Sequence, residues 1–213
     1  MSNNQSDQYQ REVFGITVLK NSHADIRRIK RETGTAAIHG NKFWNSTSLM
    51  IDYLSIFPPE GQAWRILEIG CGWGISGIYC AKNFNAKVSA LDADDSVFTY
   101  LQHHAQLNGV SITTVKCRYE KVTTEMLSKF DMIIGSDICF WDEMTTPLFN
   151  LTKRAHKAGV KRIVMTDPGR PPFRGMAEKC IEKLDSPNTE VVYDNWSVPH
   201  PYNTSGLVLD ISQ

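Results

Sequence analysis

Two short segments hold most of the chemistry this sequence can offer. Leu67-Glu68-Ile69-Gly70-Cys71-Gly72-Trp73-Gly74-Ile75-Ser76-Gly77 places alternate glycines directly behind a β-rich run, where the backbone can turn sharply and approach a ligand closely. Ile134-Gly135-Ser136-Asp137-Ile138-Cys139-Phe140-Trp141-Asp142-Glu143 ends a second apolar run in a carboxylate followed by two aromatic rings, groups that together orient a cation and shield it from water. A third acid, Asp92, follows Val88-Ser89-Ala90-Leu91, twenty residues beyond Gly72. Gly72-x-Gly74-x-x-Gly77 with Asp92 satisfies the pattern of a dinucleotide-binding loop and its ribose ligand. Physics points elsewhere. A dinucleotide lays its pyrophosphate on the helix N-terminus, and its strand runs straight into the first glycine, whereas here Glu68 and Gly70 intervene. A carboxylate in that place repels a diphosphate and suits a ligand with a positive centre.

Positioning these groups requires a sheet edge, and the hydrophobic pattern supplies one. Apolar β-rich runs at 65–69, 87–91, 112–117, 131–136 and 161–166 alternate with amphipathic stretches, the signature of parallel strands covered on both faces and joined by crossover helices. Val97, Leu101 and Ala105 recur at four-residue spacing, as do Met144 and Leu148, while Phe173, Met176, Ala177, Cys180, Ile181 and Leu184 follow the helical rule and read as core. Runs at 190–196 and 206–211 are separated by a loop too short for a helix, so that pair is antiparallel. The expected fold is a doubly wound α/β sheet of seven strands, mostly parallel with an antiparallel C-terminal strand and helices on both faces. Residues 1–11 read as a polar tail, 13–19 as one short strand, and 25–31 as a charge cluster on a solvated face or arm; a domain comprising 41–213 follows a tail and arm of 1–40.

Composition narrows the partners. Lys plus Arg and Asp plus Glu both number 23, so no global charge recommends nucleic acid. Five scattered cysteines without CxxC spacing fit reduced thiols better than a disulfide frame or a zinc site. No apolar run reaches a membrane span, and the polar start Met1-Ser2-Asn3-Asn4-Gln5 is not expected to be a signal peptide; the expected compartment is the cytoplasm. No His/Asp/Glu cluster has metal spacing, and His103-His104 is expected on a helix surface.

The placement of Glu68 at a strand end ahead of Gly70, Gly72 and Gly74 resembles the first motif of class I, Rossmann-like methyltransferases. That resemblance implies S-adenosylmethionine as cofactor, with Glu68 and the three glycines around its methionine part, Asp92 on the ribose hydroxyls, and Arg118, Tyr119 or Glu120 at the adenine. Asp137-x-x-Phe140 is similar to the Asp/Glu-x-x-Tyr/Phe motif of the seven-β-strand protein lysine methyltransferases. Their Gly-x-x-x-Trp-like segment is matched by Gly40-Asn41-Lys42-Phe43-Trp44. The resemblance implies Asp137 as the residue that orients an incoming amine, Phe140 beside it, and Trp44, Phe140 and Trp141 as the substrate channel, Trp44 also touching the cofactor. Asp167-Pro168-Gly169-Arg170-Pro171 resembles the branch that includes the electron transfer flavoprotein β-subunit lysine methyltransferase, and equally a rigid turn that closes a strand and starts a helix.

The expected activity is therefore S-adenosylmethionine-dependent N-methylation of a lysine side chain in a protein substrate. A small-molecule amine as acceptor, a non-catalytic cofactor-binding module and an NAD-dependent oxidoreductase are the competing readings. Neither a metal, nucleic acid nor a membrane is expected as partner.

Overall fold

The computed structural model describes residues 8–33, 42–61 and 63–213. A hairpin of β1 (Gln10–Val13) and β2 (Ile16–Leu19) leads into α1 (Ala24–Thr33). Then follow α2 (Ser46–Ile56), β3 (Arg65–Ile69), α3 (Ile75–Asn83), β4 (Lys87–Asp92), α4 (Val97–Leu107), β5 (Thr113–Lys116), a 3-10 turn (Tyr119–Lys121) and α5 (Thr124–Leu127). The chain ends with β6 (Met132–Ser136), α6 (Asp142–Lys157), β7 (Arg162–Asp167), α7 (Pro171–Leu184), β8 (Glu190–Val198) and β9 (Thr204–Ser212). The main sheet has the order β5-β4-β3-β6-β7-β9-β8. Strands β3 to β7 pair in parallel, and β9 runs antiparallel to both its neighbours. This is the seven-stranded, doubly wound arrangement expected from the pattern.

The period of two along each strand divides the core into two layers. Ile66, Val88, Ala90, Met132, Ile134 and Val164 pack with α2, α3 and α4. Leu67, Ile69, Leu91, Ile133, Ile163 and Met165 pack with α6 and α7. Glu68 is in phase with Ile66, so its side chain must face α3, and that parity decides what it can bond.

The N-terminal region differs from expectation. Residues 13–19 are not one strand: Phe14 and Gly15 both take positive φ, 51° and 75°, and turn the chain into a tight hairpin whose first strand reaches back into the supposed tail. The hairpin is docked on the sheet's helices. Thr17 N donates to Asn108 Oδ1 at 2.8 Å, Leu19 N donates to His104 Nε2 at 3.2 Å, and Lys82 Nζ donates to Gly15 O at 2.9 Å. His104 is accordingly buried rather than on the surface. Its ring stacks on Trp73 of the glycine loop at 5.0 Å, and burial lowers its pKa to about 4, so it stays neutral and accepts. Ile181 also departs from its stripe, being 38% exposed.

Helix α2 carries residues of the site at its N-terminus and is tied down at its other end. Tyr53 Oη donates to Asp210 Oδ2 at 2.8 Å, Arg162 Nη2 pairs with the same oxygen at 2.6 Å, and Arg162 Nη1 donates to Phe57 O at 2.8 Å. Arg162→Met strands a buried carboxylate and releases the helix end. It is expected to cost about 3 kcal/mol, by the general penalty for halving a buried ion pair, read as a lowered urea midpoint; an unchanged midpoint would show the pair to be dispensable.

Candidate active site

A cavity of about 590 Å³ opens at the carboxyl ends of β3, β4 and β6. It lies where the strand order reverses, with β4 on one side of β3 and β6 on the other, the place at which doubly wound sheets bind ligands. Its volume is in the range of small-molecule and cofactor pockets. Glu68, Gly70, Gly72, Gly74, Asp92, Tyr119, Trp44, Asp137, Phe140 and Trp141 all line it, so the fold brings these predicted cofactor and channel residues around one space.

The floor is the β3–α3 loop. Gly70, Gly72 and Gly74 have φ of 59°, 50° and 68°, the left-handed region that an L side chain enters at a cost. At Gly70 space is also absent: a Cβ there would stand 2.6 Å from both Ile138 Cγ2 and Tyr119 Oη. At Gly72 a Cβ would meet nothing within 4 Å, which leaves that peptide open to a ligand. Glu68 is buried on the α3 face, as its parity requires, and Gly77 N donates to its Oε2 at 3.1 Å. Burial raises its pKa to about 8 against the Gly77 hydrogen bond, and the charge of Asp92 adds to the rise.

Asp92 ends β4 with both oxygens engaged: Oδ2 accepts from Gly72 N at 3.1 Å and Oδ1 from Asp94 N at 3.0 Å. Each oxygen retains a lone pair for a ligand hydroxyl. The following helix starts at Val97. Asp94 closes the turn before it by accepting from Ser96 N at 3.0 Å. Across the cavity Arg118, Tyr119 and Glu120 line the wall. Arg154 of α6 donates to Tyr119 O at 2.7 Å and to Val122 O at 2.9 Å, which sets the position of that turn.

The other end of the cavity is acidic and aromatic. Asp137 is a non-glycine residue with φ of 60°, held by its N–H donating to Thr166 O at 2.8 Å. Its buried carboxylate pairs through Oδ1 with Arg170 Nη1 and accepts from Ser46 Oγ at 3.1 Å through Oδ2. Arg170 Nη1 also reaches Asp167 Oδ2 at 2.9 Å, while Asp167 Oδ1 accepts from Gly169 N and Arg170 N at 2.8 and 2.7 Å. The Asp167-Pro168-Gly169-Arg170 segment is thus a closed turn, and the turn delivers a guanidinium to Asp137. That guanidinium lies 4.6 Å from the Phe140 ring centroid. Phe140 is 5.7 Å from Trp44 and 5.8 Å from Trp141, the latter 46% exposed.

Sequence reasoning missed Ser46 and the direction of Arg170. Ser46 had no local signal, because it reaches Asp137 across 91 positions. An arginine three residues after a strand-terminal aspartate was the available hint for the second. Gly40 and Asn41, the start of the Gly-x-x-x-Trp-like segment, lie outside the described residues.

Known proteins bear on the geometry as follows. The histidine protein methyltransferase 1 homolog of Dictyostelium discoideum is 29% identical over 116 residues, 53% of this chain and 38% of that protein. The electron transfer flavoprotein beta subunit lysine methyltransferase of Mus musculus is 23% identical over 133 residues, 62% of this chain and 51% of that protein. The chain thus spans about two fifths to one half of the curated relatives it matches. Among solved structures, the delta-N METTL16 MTase domain superposes with a TM-score of 0.59 at 15% identity, covering 88% of this chain and 93% of that one, a likeness of fold. A family model described as lysine methyltransferase matches residues 21–192. With its seven-stranded sheet and most of its length inside that match, the chain belongs to the lysine methyltransferase family.

Proposed function

We propose that the chain is an S-adenosylmethionine-dependent enzyme that methylates a nitrogen of a protein side chain, a lysine amine in the first place. The observation that carries this is one cavity shared by a left-handed glycine loop with Glu68 and Asp92 at one end, and by Asp137, Phe140, Trp44 and Trp141 at the other. The residues suit the cofactor: the open peptide at Gly72 forms a cradle, Glu68 answers a cation and Asp92 answers vicinal hydroxyls. Glu68, Gly70, Gly72 and Gly74 would hold the methionine part, Asp92 the ribose, and Tyr119 the adenine side, with Trp44 between the two ends. S-Adenosylmethionine supplies, when bound, a methyl on a sulfonium centre open to in-line attack.

The chain's own residues have to bring an amine into line, about 3 Å from the carbon it attacks. A lysine with an ordinary pKa is neutral in about one molecule per thousand at pH 7.4, a handicap of roughly 4 kcal/mol. Phe140, Trp44 and Trp141 reduce it by excluding water, since desolvation disfavours the ammonium. Asp137 orients the nitrogen rather than taking its proton, because it is already bonded to Arg170 and Ser46. The proposed acceptor is protein, with no role for nucleic acid or membrane; no described helix is long and apolar enough to cross a membrane. The five cysteines are all free, and the cytoplasm is the proposed compartment.

Thermal melting is the first test. S-Adenosylmethionine is expected to raise the melting temperature and NAD to leave it unchanged, because a ligand that binds only the native state stabilises it. A shift with NAD alone would replace the reading by an oxidoreductase. Labelled S-adenosylmethionine incubated with a cell lysate should then place label in protein; label in small metabolites would move the activity to a free amine.

Glu68 gives the cofactor site a pH signature. Its folded pKa of about 8 lies above the ordinary 4.5, so the neutral acid favours folding: its contribution to stability is full below the unfolded value and is lost as pH rises toward about 8. A cationic ligand reverses the preference and expels the proton. Binding at pH 6.5 is expected to release close to one proton and to tighten between pH 6 and 8. Calorimetry in buffers of different ionisation heat reads the release, and Glu68→Gln should abolish it. Equal affinity at both pH values would remove Glu68 from cation binding.

A further inference from the structure

One lysine of the chain, exposed, stands at the wall of the cavity. Lys42 lines it together with Trp44, Asp137, Phe140 and Trp141, and its Nζ lies 3.9 Å from the Trp44 ring centroid. Trp44 leads through Phe140, 5.7 Å away, to the Arg170 guanidinium, 4.6 Å from the centroid of that ring. The ammonium is thus seated on the aromatic wall that the preceding reading assigns to an acceptor amine. It is also tethered, two residues from Trp44 and four from Ser46 at the start of α2. A tethered group reaches an effective concentration in the millimolar range, about what a weakly bound free substrate needs, without any docking surface.

We propose that Lys42 is a methylation site of this protein, modified in cis in its own acceptor channel. The inference rests on the reading of the cavity as a methyltransferase site. The step is balanced: the Lys42 ammonium gives one proton to water, its nitrogen lone pair forms the new N–C bond as the S–C bond of S-adenosylmethionine breaks, and S-adenosylhomocysteine departs. The nitrogen regains a positive charge as a methylammonium, so its attraction to the Trp44 face survives the modification.

The purified 213-residue chain, incubated with trideuteromethyl S-adenosylmethionine and no other acceptor, is expected to carry the label on the Lys42 peptide by mass spectrometry. The modified fraction at a given time should not change over about a twentyfold dilution, as an intramolecular reaction requires. Lys42→Arg keeps a cation over Trp44 but offers no amine; it should lose the label while binding S-adenosylhomocysteine as the parent does. A second readout needs no turnover. Saturating S-adenosylhomocysteine should slow acylation of Lys42 by N-hydroxysuccinimidyl acetate about threefold, because a ligand in the cavity covers its wall, and leave exposed Lys157 at the end of α6 unaffected. An unlabelled Lys42 in a chain that binds S-adenosylhomocysteine would overturn the proposal alone. Labelling that rises with protein concentration would overturn the assignment in cis. A chain that binds neither cofactor form would overturn the proposal together with the reading beneath it.

Discussion

Asp137→Asn is expected to bind S-adenosylhomocysteine as the parent chain does and to transfer methyl groups about a thousandfold more slowly, a loss within the range for misplacing a reacting group and removing its polar partner. Asparagine is the informative replacement because the site demands it structurally. The backbone at 137 has φ of 60°, which asparagine tolerates better than other non-glycine residues, and the side-chain carbonyl can still accept from Ser46 Oγ. Arg170 keeps Asp167 as a partner at 2.9 Å, so the fold is not left with an unpaired guanidinium. What disappears is the negative charge facing the channel. Asp137→Ala removes both the charge and the acceptor and adds the strain of a left-handed alanine, about 1–2 kcal/mol; it should abolish transfer while a folded fraction still binds cofactor. The measurement is label incorporation into lysate protein beside calorimetric titration. Undiminished turnover in either variant would take Asp137 out of the mechanism.

Gly70→Val is expected to produce the opposite division, with cofactor binding lost together with activity. The new Cβ would press on Ile138 Cγ2 and Tyr119 Oη at 2.6 Å, and a β-branched residue would have to hold φ of 59°. Left-handed strain of about 1–2 kcal/mol and overpacking of about 1–3 kcal/mol act together. The loop can relieve them by flattening, which moves the Gly72 peptide away from Asp92 Oδ2, now 3.1 Å away. Affinity for S-adenosylhomocysteine should fall by about two orders of magnitude, as about 3 kcal/mol implies, and the melting temperature should drop. Gly72→Ala is the matched control, since it shares the positive φ but meets no atom; it should bind more weakly by the strain alone. Equal behaviour of the two variants would show that crowding at Ile138 and Tyr119 is irrelevant.

These expectations separate what was legible in the sequence from what was not. The five parallel strands, the antiparallel ending and the helix stripes followed from hydrophobic period alone, because burial on one face or two leaves a repeat of 3.6 or 2 that needs no knowledge of neighbours. Glu68, Asp92 and Asp137 could be placed on one edge for the same reason: each lies within one residue of the carboxyl end of a parallel strand, and parallel strands end at the same side of their sheet. The hairpin of β1 and β2 was hidden, since its turn is a Phe14-Gly15 pair within an otherwise continuous β-rich run. His104 was misplaced because its burial depends on what lies opposite, the Leu19 N–H and the Trp73 ring, and no local pattern encodes that.

The chain's sequence by itself determined the succession of strands and helices from β3 to β9, the glycine loop behind β3 and the presence of acids at strand ends, since these depend on residues adjacent along the chain. Tertiary structure alone decided that Glu68 bonds the start of α3, that Asp137 is shared by Ser46 and Arg170, and that Lys42 rests on Trp44 at the cavity wall. Partner choice for a buried charge is set by distance and desolvation in three dimensions, and elements far apart in sequence supply the partners.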